Sequence, residues 1–260
     1  TFCMDSRATN ARGHTYGIAS VFTDSNLRGH GLAGKLLTGV AAQLKTTDPL
    51  LQALILFSDV GVKIYARLGY QPLPSFDWIW TVGEHTEPLP RIQTVTREQL
   101  LDTRLAAEFD ASFSVLPALA QLDWHAERTA FYGQQLGCRK HITCGWVRPR
   151  TQELVAAWAA DWKENTLRIL FNRSQTVEEF VQTRDAACAE AQSLGLKTVT
   201  QWEDSTCAAK EPAHFQAKRH PRDGAIPMIL PVAPSLMSLL PTDREMTSLI
   251  WPECPRALWV

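Results

Sequence analysis

The amino-acid sequence predicts an α/β (α+β) protein, a mixed sheet with flanking helices followed by a second α/β domain. Three observations carry that expectation. Residues Tyr16–Val82 run in the order strand, glycine-rich loop, helix, strand, helix. From Gly83 to Pro90 the periodicity is lost and prolines enter, as in a linker. Beyond it come several strand-like runs and one strongly capped helix. At 260 residues, the usual ~150 residues per domain gives roughly 1.7 domains, ample for a buried core.

Taken in order, Tyr16–Thr23 reads as a strand, with room before it for one more short strand around Phe2–Met4. After the spacer Asp24–Leu27 comes Arg28-Gly29-His30-Gly31-Leu32-Ala33-Gly34. Leu32, Leu36, Leu37, Val40, Ala41 and Leu44 then recur at helical spacing, so the loop opens directly into a helix that Asp48-Pro49 closes. Ala53–Phe57 suits a buried strand, and a second helix around Val62–Leu68 stops at Gly69. After the linker, Thr96-Arg97-Glu98-Gln99 is a capping-box pattern, and the segment to Gly137 reads as helical with a break near Pro117. Strands are expected at His141–Val147, Leu154–Trp162 and Leu167–Phe171. Thr176-Val177-Glu178-Glu179 caps a helix ending at Gly195, and Lys197–Trp202 reads as a further strand. Residues 211–260 hold eight of the 15 prolines, and irregular structure with at most short helices is expected there.

Composition narrows the function classes. A chain 45% hydrophobic and 20% charged is neither disordered nor fibrous. Its 26 basic and 27 acidic residues leave a net charge of -1, too little field for bulk binding to nucleic acid or a membrane surface. An anionic ligand therefore needs a local site. No stretch approaches the ~20 apolar residues of a membrane span, and Thr1–Asn10 lacks the basic-then-apolar order of a secretory signal, so a cytoplasmic protein is expected. The six cysteines form no C-x-x-C pair and make no ligand spacing with the seven histidines. Neither a metal site nor a disulfide framework is expected.

The glycine loop satisfies more than one phosphate motif. Gly29-x-Gly31-x-x-Gly34 matches the dinucleotide fingerprint, with Asp59 as its ribose ligand, and Gly29-x-x-x-x-Gly34-Lys35 matches most of a Walker A loop. All such loops let the backbone approach a pyrophosphate and set helix N-terminal amides against its charge. Leu36 stands where Walker A needs Ser or Thr for magnesium. The dinucleotide reading suffers because Asp24–Leu27 intervene between strand and loop. A glycine-rich turn that binds nothing is the bland alternative.

Arg28-x-x-Gly31-x-Ala33 resembles the pyrophosphate loop of the GNAT superfamily of N-acetyltransferases. Phe57-Ser58-Asp59-Val60-Gly61-Val62-Lys63-Ile64-Tyr65-Ala66-Arg67-Leu68-Gly69-Tyr70 resembles that superfamily's next strand and its tyrosine-bearing helix, with Ser58 and Gly61 as departures from the usual asparagine and alanine. Together with Ser20-Val21-Phe22-Thr23, Leu122-Asp123-Trp124-His125, Phe131-Tyr132 and Thr200-Gln201-Trp202-Glu203, these segments resemble the fungal lysine acetyltransferase family of the LYC type. The resemblance implies a GNAT-like mixed sheet over residues 1–85, a linker at 86–95 and a second, degenerate GNAT-like domain over 96–260. The alternatives are a catalytically inactive GNAT-like scaffold that binds CoA and, third, a dinucleotide-binding oxidoreductase.

The resemblance implies acetyl transfer from acetyl-CoA to a small-molecule amine, the side-chain amine of L-lysine first, without a metal. It assigns Val21, Phe22, Thr23, Arg28, Gly29, His30, Gly31, Leu32, Ala33, Gly34 and Ser58 to coenzyme binding, and Tyr65 to protonation of the departing thiolate. Asp59 is a candidate base, with a helix-cap role as its alternative. Arg148, Arg150, Arg168 or Arg173 is available to anchor a carboxylate, and Trp78 or Trp80 to wall the acceptor groove, although surface charge and core packing are the simpler roles. Asn172-Arg173-Ser174-Gln175, before the helix that ends at Gly195, has no glycine, so one coenzyme site is expected. The superfamily places earlier strands and a helix pair ahead of its loop. Here only Thr1–Thr15 precede the first assigned strand, so a missing N-terminal piece is expected.

Overall fold

The structure is a computed structural model that describes residues 2–8, 11–83, 92–105, 113–115, 117–138, 142–203, 207, 210 and 212–237. Strands β1 (Phe2–Ala8) and β2 (Ala11–Ile18) pair antiparallel. Helix α1 (Leu32–Thr47) then crosses to β3 (Leu51–Ser58), which lies parallel to β2. The short helix α2 (Lys63–Ala66) and strand β4 (Gln71–Pro72) follow. Next come β5 (Phe76–Thr81), β6 (Gln93–Thr96), the one-turn helix α3 (Arg97–Leu100), β7 (Phe113–Val115) and α4 (Leu119–Gln135). The meander β8 (Thr143–Arg148), β9 (Glu153–Asp161), β10 (Thr166–Asn172) leads through α5 (Val177–Leu194) to β11 (Thr198–Trp202), parallel to β10. The last elements are β12 (Lys218–Pro221), β13 (Ile226–Pro231) and the short α6 (Pro234–Met237).

Two sheets result. The six-stranded one has the order β4-β13-β3-β2-β1-β7, and the seven-stranded one β12-β5-β11-β10-β9-β8-β6. Each is built around a strand–helix–parallel strand crossover. Each also takes strands from across the expected linker: β5 precedes it yet joins the second sheet, while β7 and β13 follow it and join the first. Residues 84–91, most of that linker, lie outside the described residues.

Apolar side chains explain the layers. Leu37 and Ala41 of α1 pack on Ile18, Leu54, Leu56, Tyr70 and Met228 of one face of the first sheet. The other face holds Met4, Ala53, Ile55, Phe113, Val115 and Ile229. In the second sheet α5 sets Phe180, Ala187, Cys188 and Ala191 on Trp78, Trp80, Trp158 and Val199, and α4 covers the opposite face with Leu122 and Ala126. Each fully buried large side chain contributes about 2–3 kcal/mol of transfer free energy. Trp78 and Trp80 are 1% and 0% exposed, so both are core rather than groove wall.

Three sequence expectations change. The strand expected at Tyr16–Thr23 is β2, which covers Ala11–Ile18. The segment read as helical from Thr96 contains β7, which pairs with β1, so continuous helix begins only at Leu119. The described part of the proline-rich tail, residues 212–237, is not irregular: β12 and β13 are strands, and Met228 and Ile229 are wholly buried against β3. Both helix caps were legible: Thr96 and Gln99 form a capping box, and Thr176 Oγ1 accepts the Glu179 N–H at 3.1 Å.

Candidate functional site

Strands β2 and β3 pair in parallel as far as Ile18 and Leu56, and there they part. Ser20 takes φ 55, a left-handed conformation uncommon for a residue with a side chain, and turns the chain away. Beyond Leu56, β3 runs on with Phe57 and Ser58 paired to β13 on its other side. No backbone hydrogen bond joins Ala19–Thr23 to β3 among the described residues. Val21 and Thr23 are therefore half-buried beside a gap between two strands, not within a ladder.

Past the gap, the Asp24 carboxylate accepts the Asn26 N–H at 2.9 Å and caps a tight turn over Ser25–Leu27. Arg28 Nε donates to the Thr23 carbonyl at 3.1 Å, and its guanidinium lies 5.8 Å from the centre of the Phe22 ring, which is 76% exposed. Gly29 and Gly31 have φ of 84° and 70°, and a Cβ on either would meet nothing within 4 Å. These glycines are demanded by backbone conformation, not by crowding. Gly31 is the N-cap of α1, and no side chain caps that helix. Its first turn, from Leu32 through Ala33 and Gly34, carries no acidic residue. The N–H groups of a first turn have no partner inside the helix, so the end of α1 presents uncapped donors and the positive pole of the helix dipole to the surface. His30 is exposed beside them.

At the end of β3, the buried Ser58 hydroxyl donates to the Gly61 carbonyl at 2.6 Å and receives the Val60 N–H at 3.3 Å, closing a tight loop. Asp59 does not cap α2, whose N-cap is Val62 without a side-chain bond. Its Oδ1 accepts the Ala225 N–H at 2.8 Å. Tyr65 is half-buried, its ring edge-on to Tyr70 with centres 6.1 Å apart. Burial first, and then the Asp59 charge, push the Tyr65 phenol above its ordinary value, so it stays protonated and able to donate near neutral pH. The Tyr70 hydroxyl is buried without a partner, and burial raises it strongly.

The equivalent place in the second sheet is closed. Where β10 and β11 part, Asn172 Nδ2 donates to Gln201 Oε1 at 3.0 Å, and Asn172 Oδ1 accepts from the Ser174 hydroxyl at 2.7 Å. Thr176 caps α5, Glu178 and Glu179 occupy its first turn, and Glu179 accepts the Gln175 N–H at 2.7 Å. Arg148 holds Glu179 through two bonds of 2.8 and 2.9 Å and Glu153 through one of 2.6 Å. Arg168 pairs with Asp161, and the Arg173 guanidinium lies over Phe171. Three of the four arginines considered for a carboxylate anchor thus have structural partners.

Among the described residues, no group of three or more His, Cys, Asp or Glu is disposed to hold a metal, and no helix is long and apolar enough to cross a membrane. Sequence reasoning missed the Arg222–Ala225 connection, which lies against Asp59. Its only local signal was the turn dipeptide Asp223-Gly224.

A mixed sheet whose central parallel strands splay beside an uncapped helix N-terminus, followed by a second α/β unit of the same order, defines a GNAT-like fold. Comparison of structures agrees. A conserved protein from Enterococcus faecalis V583, described as a probable N-acyltransferase, superposes with a TM-score of 0.53 at 14% identity, over 92% of this chain and 59% of that one. GCN5-related N-acetyltransferases from Kribbella flavida (TM-score 0.46, 11% identity, 87% of this chain, 54% of that one) and Anabaena variabilis (0.48, 14%, 87%, 57%) also match. The chain thus spans between 54% and 59% of the length of these three proteins. No curated protein matches in sequence. The family described as the LYC1 GNAT-like C-terminal domain matches residues 75–230, more than half of the chain, and the chain belongs to that family. The matched segment begins just before β5, and the loop Arg28–Gly34 and Tyr65 precede it.

Proposed function

We propose that this chain is part of an N-acetyltransferase that moves the acetyl group of acetyl-CoA to an amine, the N6 amine of free L-lysine first among acceptors, in the cytoplasm. The observation that carries the reading is the uncapped N-terminus of α1 set directly beyond the gap between β2 and β3. A pyrophosphate needs amide donors and a cation, and Gly29, Gly31, Leu32, Ala33 and Gly34 offer the former while Arg28 offers the latter. The exposed Phe22 and His30 flank it. The backbone at Val21 and Thr23, outside the β2–β3 ladder, suits the amide groups of the pantetheine arm, which then adds to β2 as a short strand would. Ser58 serves by shaping the loop at the far side of the gap.

In the transfer the neutral amine forms the new C–N bond to the thioester carbonyl carbon, the C–S bond breaks, the nitrogen releases one proton to water, and the thiolate takes one from a donor that solvent then reprotonates. Tyr65 is the donor for that last proton, a role its retained phenol proton allows. The substrate ammonium must first lose a proton to a base or a water chain. The lysine assignment rests on the family resemblance, and the arrangement is one coenzyme site in an N-terminal domain with the second domain closing over the acceptor side.

The test is a screen of purified chain with acetyl-CoA against free amino acids and polyamines, reading released CoA thiol. Lysine should give the fastest release. Release only with protein acceptors would overturn the lysine assignment, and CoA binding without release for any amine would leave a non-catalytic scaffold.

A further inference from the structure

The connection Arg222–Ala225 crosses from β12, an edge strand of the second sheet, to β13, which lies between β4 and β3 in the first. It is fastened on both sides. Towards the first sheet, Asp59 Oδ1 accepts the Ala225 N–H at 2.8 Å, and a Cβ added to Gly224 would lie 3.5 Å from the same oxygen. Towards the second sheet, the Arg222 guanidinium stacks 3.7 Å from the centre of the Trp202 ring while also donating to the Ala225 carbonyl. Trp202, 4% exposed, packs on Phe57 with ring centres 5.1 Å apart. The contacts close a circuit: Asp59, Ala225, Arg222, Trp202, Phe57 and back along β3. It joins the C-terminal ends of β3 and β11, the closing strands of the two crossovers.

Ala225 has φ 47, a left-handed conformation that costs a non-glycine residue roughly 1–2 kcal/mol and persists only where its surroundings impose it. The Asp59 hydrogen bond is such an imposition. Asp59 also lies near enough to Tyr65 for its charge to act on the phenol, after burial. At its first-sheet end the strap therefore stands beside the loop that leads from β3 to Tyr65.

We infer that Asp59 is a positioning residue whose carboxylate fixes the Arg222–Ala225 strap as one wall of the acceptor-amine site, and that it is not the base. This rests on the acetyltransferase reading for the word acceptor, but not for the strap itself. An amine entering past the strap meets a wall whose place is set by one backbone hydrogen bond on one side and one cation–aromatic stack on the other.

Two readouts on the 260-residue chain test it. The first is hydrogen exchange of the Ala225 amide by NMR, which needs no activity. Asp59→Ala should speed that exchange at least about tenfold, and Asp59→Asn, which keeps an oxygen facing the amide, should restore it. The second is acetyl transfer to lysine. Asp59→Ala should raise the acceptor KM about tenfold with kcat and CoA affinity within about threefold, and Asp59→Asn should bring KM back. If Asp59→Asn instead lowers kcat about 100-fold and abolishes the acid limb of the pH profile while Ala225 stays protected, Asp59 is the base and the inference falls. Unchanged Ala225 exchange in Asp59→Ala also overturns it. An unmodified chain that transfers acetyl to no amine sinks the enzyme reading alone, and the exchange arm still decides the strap.

Discussion

The two crossovers of this chain are built alike and finished differently. In the first, β2 and β3 part beyond Ile18 and Leu56 with no bridge between them among the described residues, Gly31 caps α1 without a side chain, and the first helical turn is free of acid. In the second, the parting of β10 and β11 is bridged by Asn172 and Gln201, Thr176 caps α5, and Glu178 and Glu179 fill its first turn. A helix N-terminus attracts anions wherever it is left uncapped. At α5 the protein supplies its own anion and neutralises that with Arg148. The same fold thus yields one helix N-terminus left open and one sealed structural joint.

The largest expected effect breaks the open side. Arg28→Ala with Gly31→Glu removes the cation, places a carboxylate at the cap and strains the φ 70 position. CoA affinity measured by calorimetry should fall at least about 100-fold, with the fold intact by circular dichroism. Next is Tyr65→Phe, which should lower kcat about 100-fold in the thiol-release assay while CoA affinity stays within about threefold. On the sealed side the effects are on stability. Glu179→Gln should cost about 1–3 kcal/mol in urea unfolding and leave CoA affinity unchanged, since it strips charge from the Arg148 pair. Thr176→Ala should cost about 1 kcal/mol by the same measurement.

The smallest effect is in pH. Burial raises the Glu179 carboxyl, but hydrogen bonds from Arg148 and the Gln175 N–H outweigh it, so the net shift is downward. A carboxyl lowered on folding contributes stability that is complete above its unfolded value of about 4.3 and is lost as pH falls through the lower folded value. Urea midpoints compared at pH 6 and pH 3 should therefore drop less in Glu179→Gln than in the unmodified chain.

Legibility from sequence followed locality. The glycine loop, the helix after it and the caps at Thr96 and Thr176 were readable because each depends on residues within a few positions of one another. The end of β2 was not. Ser20-Val21-Phe22-Thr23 has strand-forming side chains, and only the left-handed φ at Ser20, set by the tertiary divergence from β3, ends the ladder at Ile18. β13 was hidden for another reason. Pro227 and Pro231 read as breaks, and its partner β3 lies far away in sequence, so nothing local announced that Met228 and Ile229 complete the first core. The site divides in the same way: Arg28–Gly34 was visible as a motif, whereas the contact of Asp59 with Ala225 spans 166 positions.

The account stands on one open crossover and one sealed one. Isothermal titration of the chain with CoA tests this most directly. One site per chain is predicted, lost in the Arg28→Ala, Gly31→Glu double variant and retained in Glu179→Gln. Two sites per chain, or binding that survives the double variant, would contradict it.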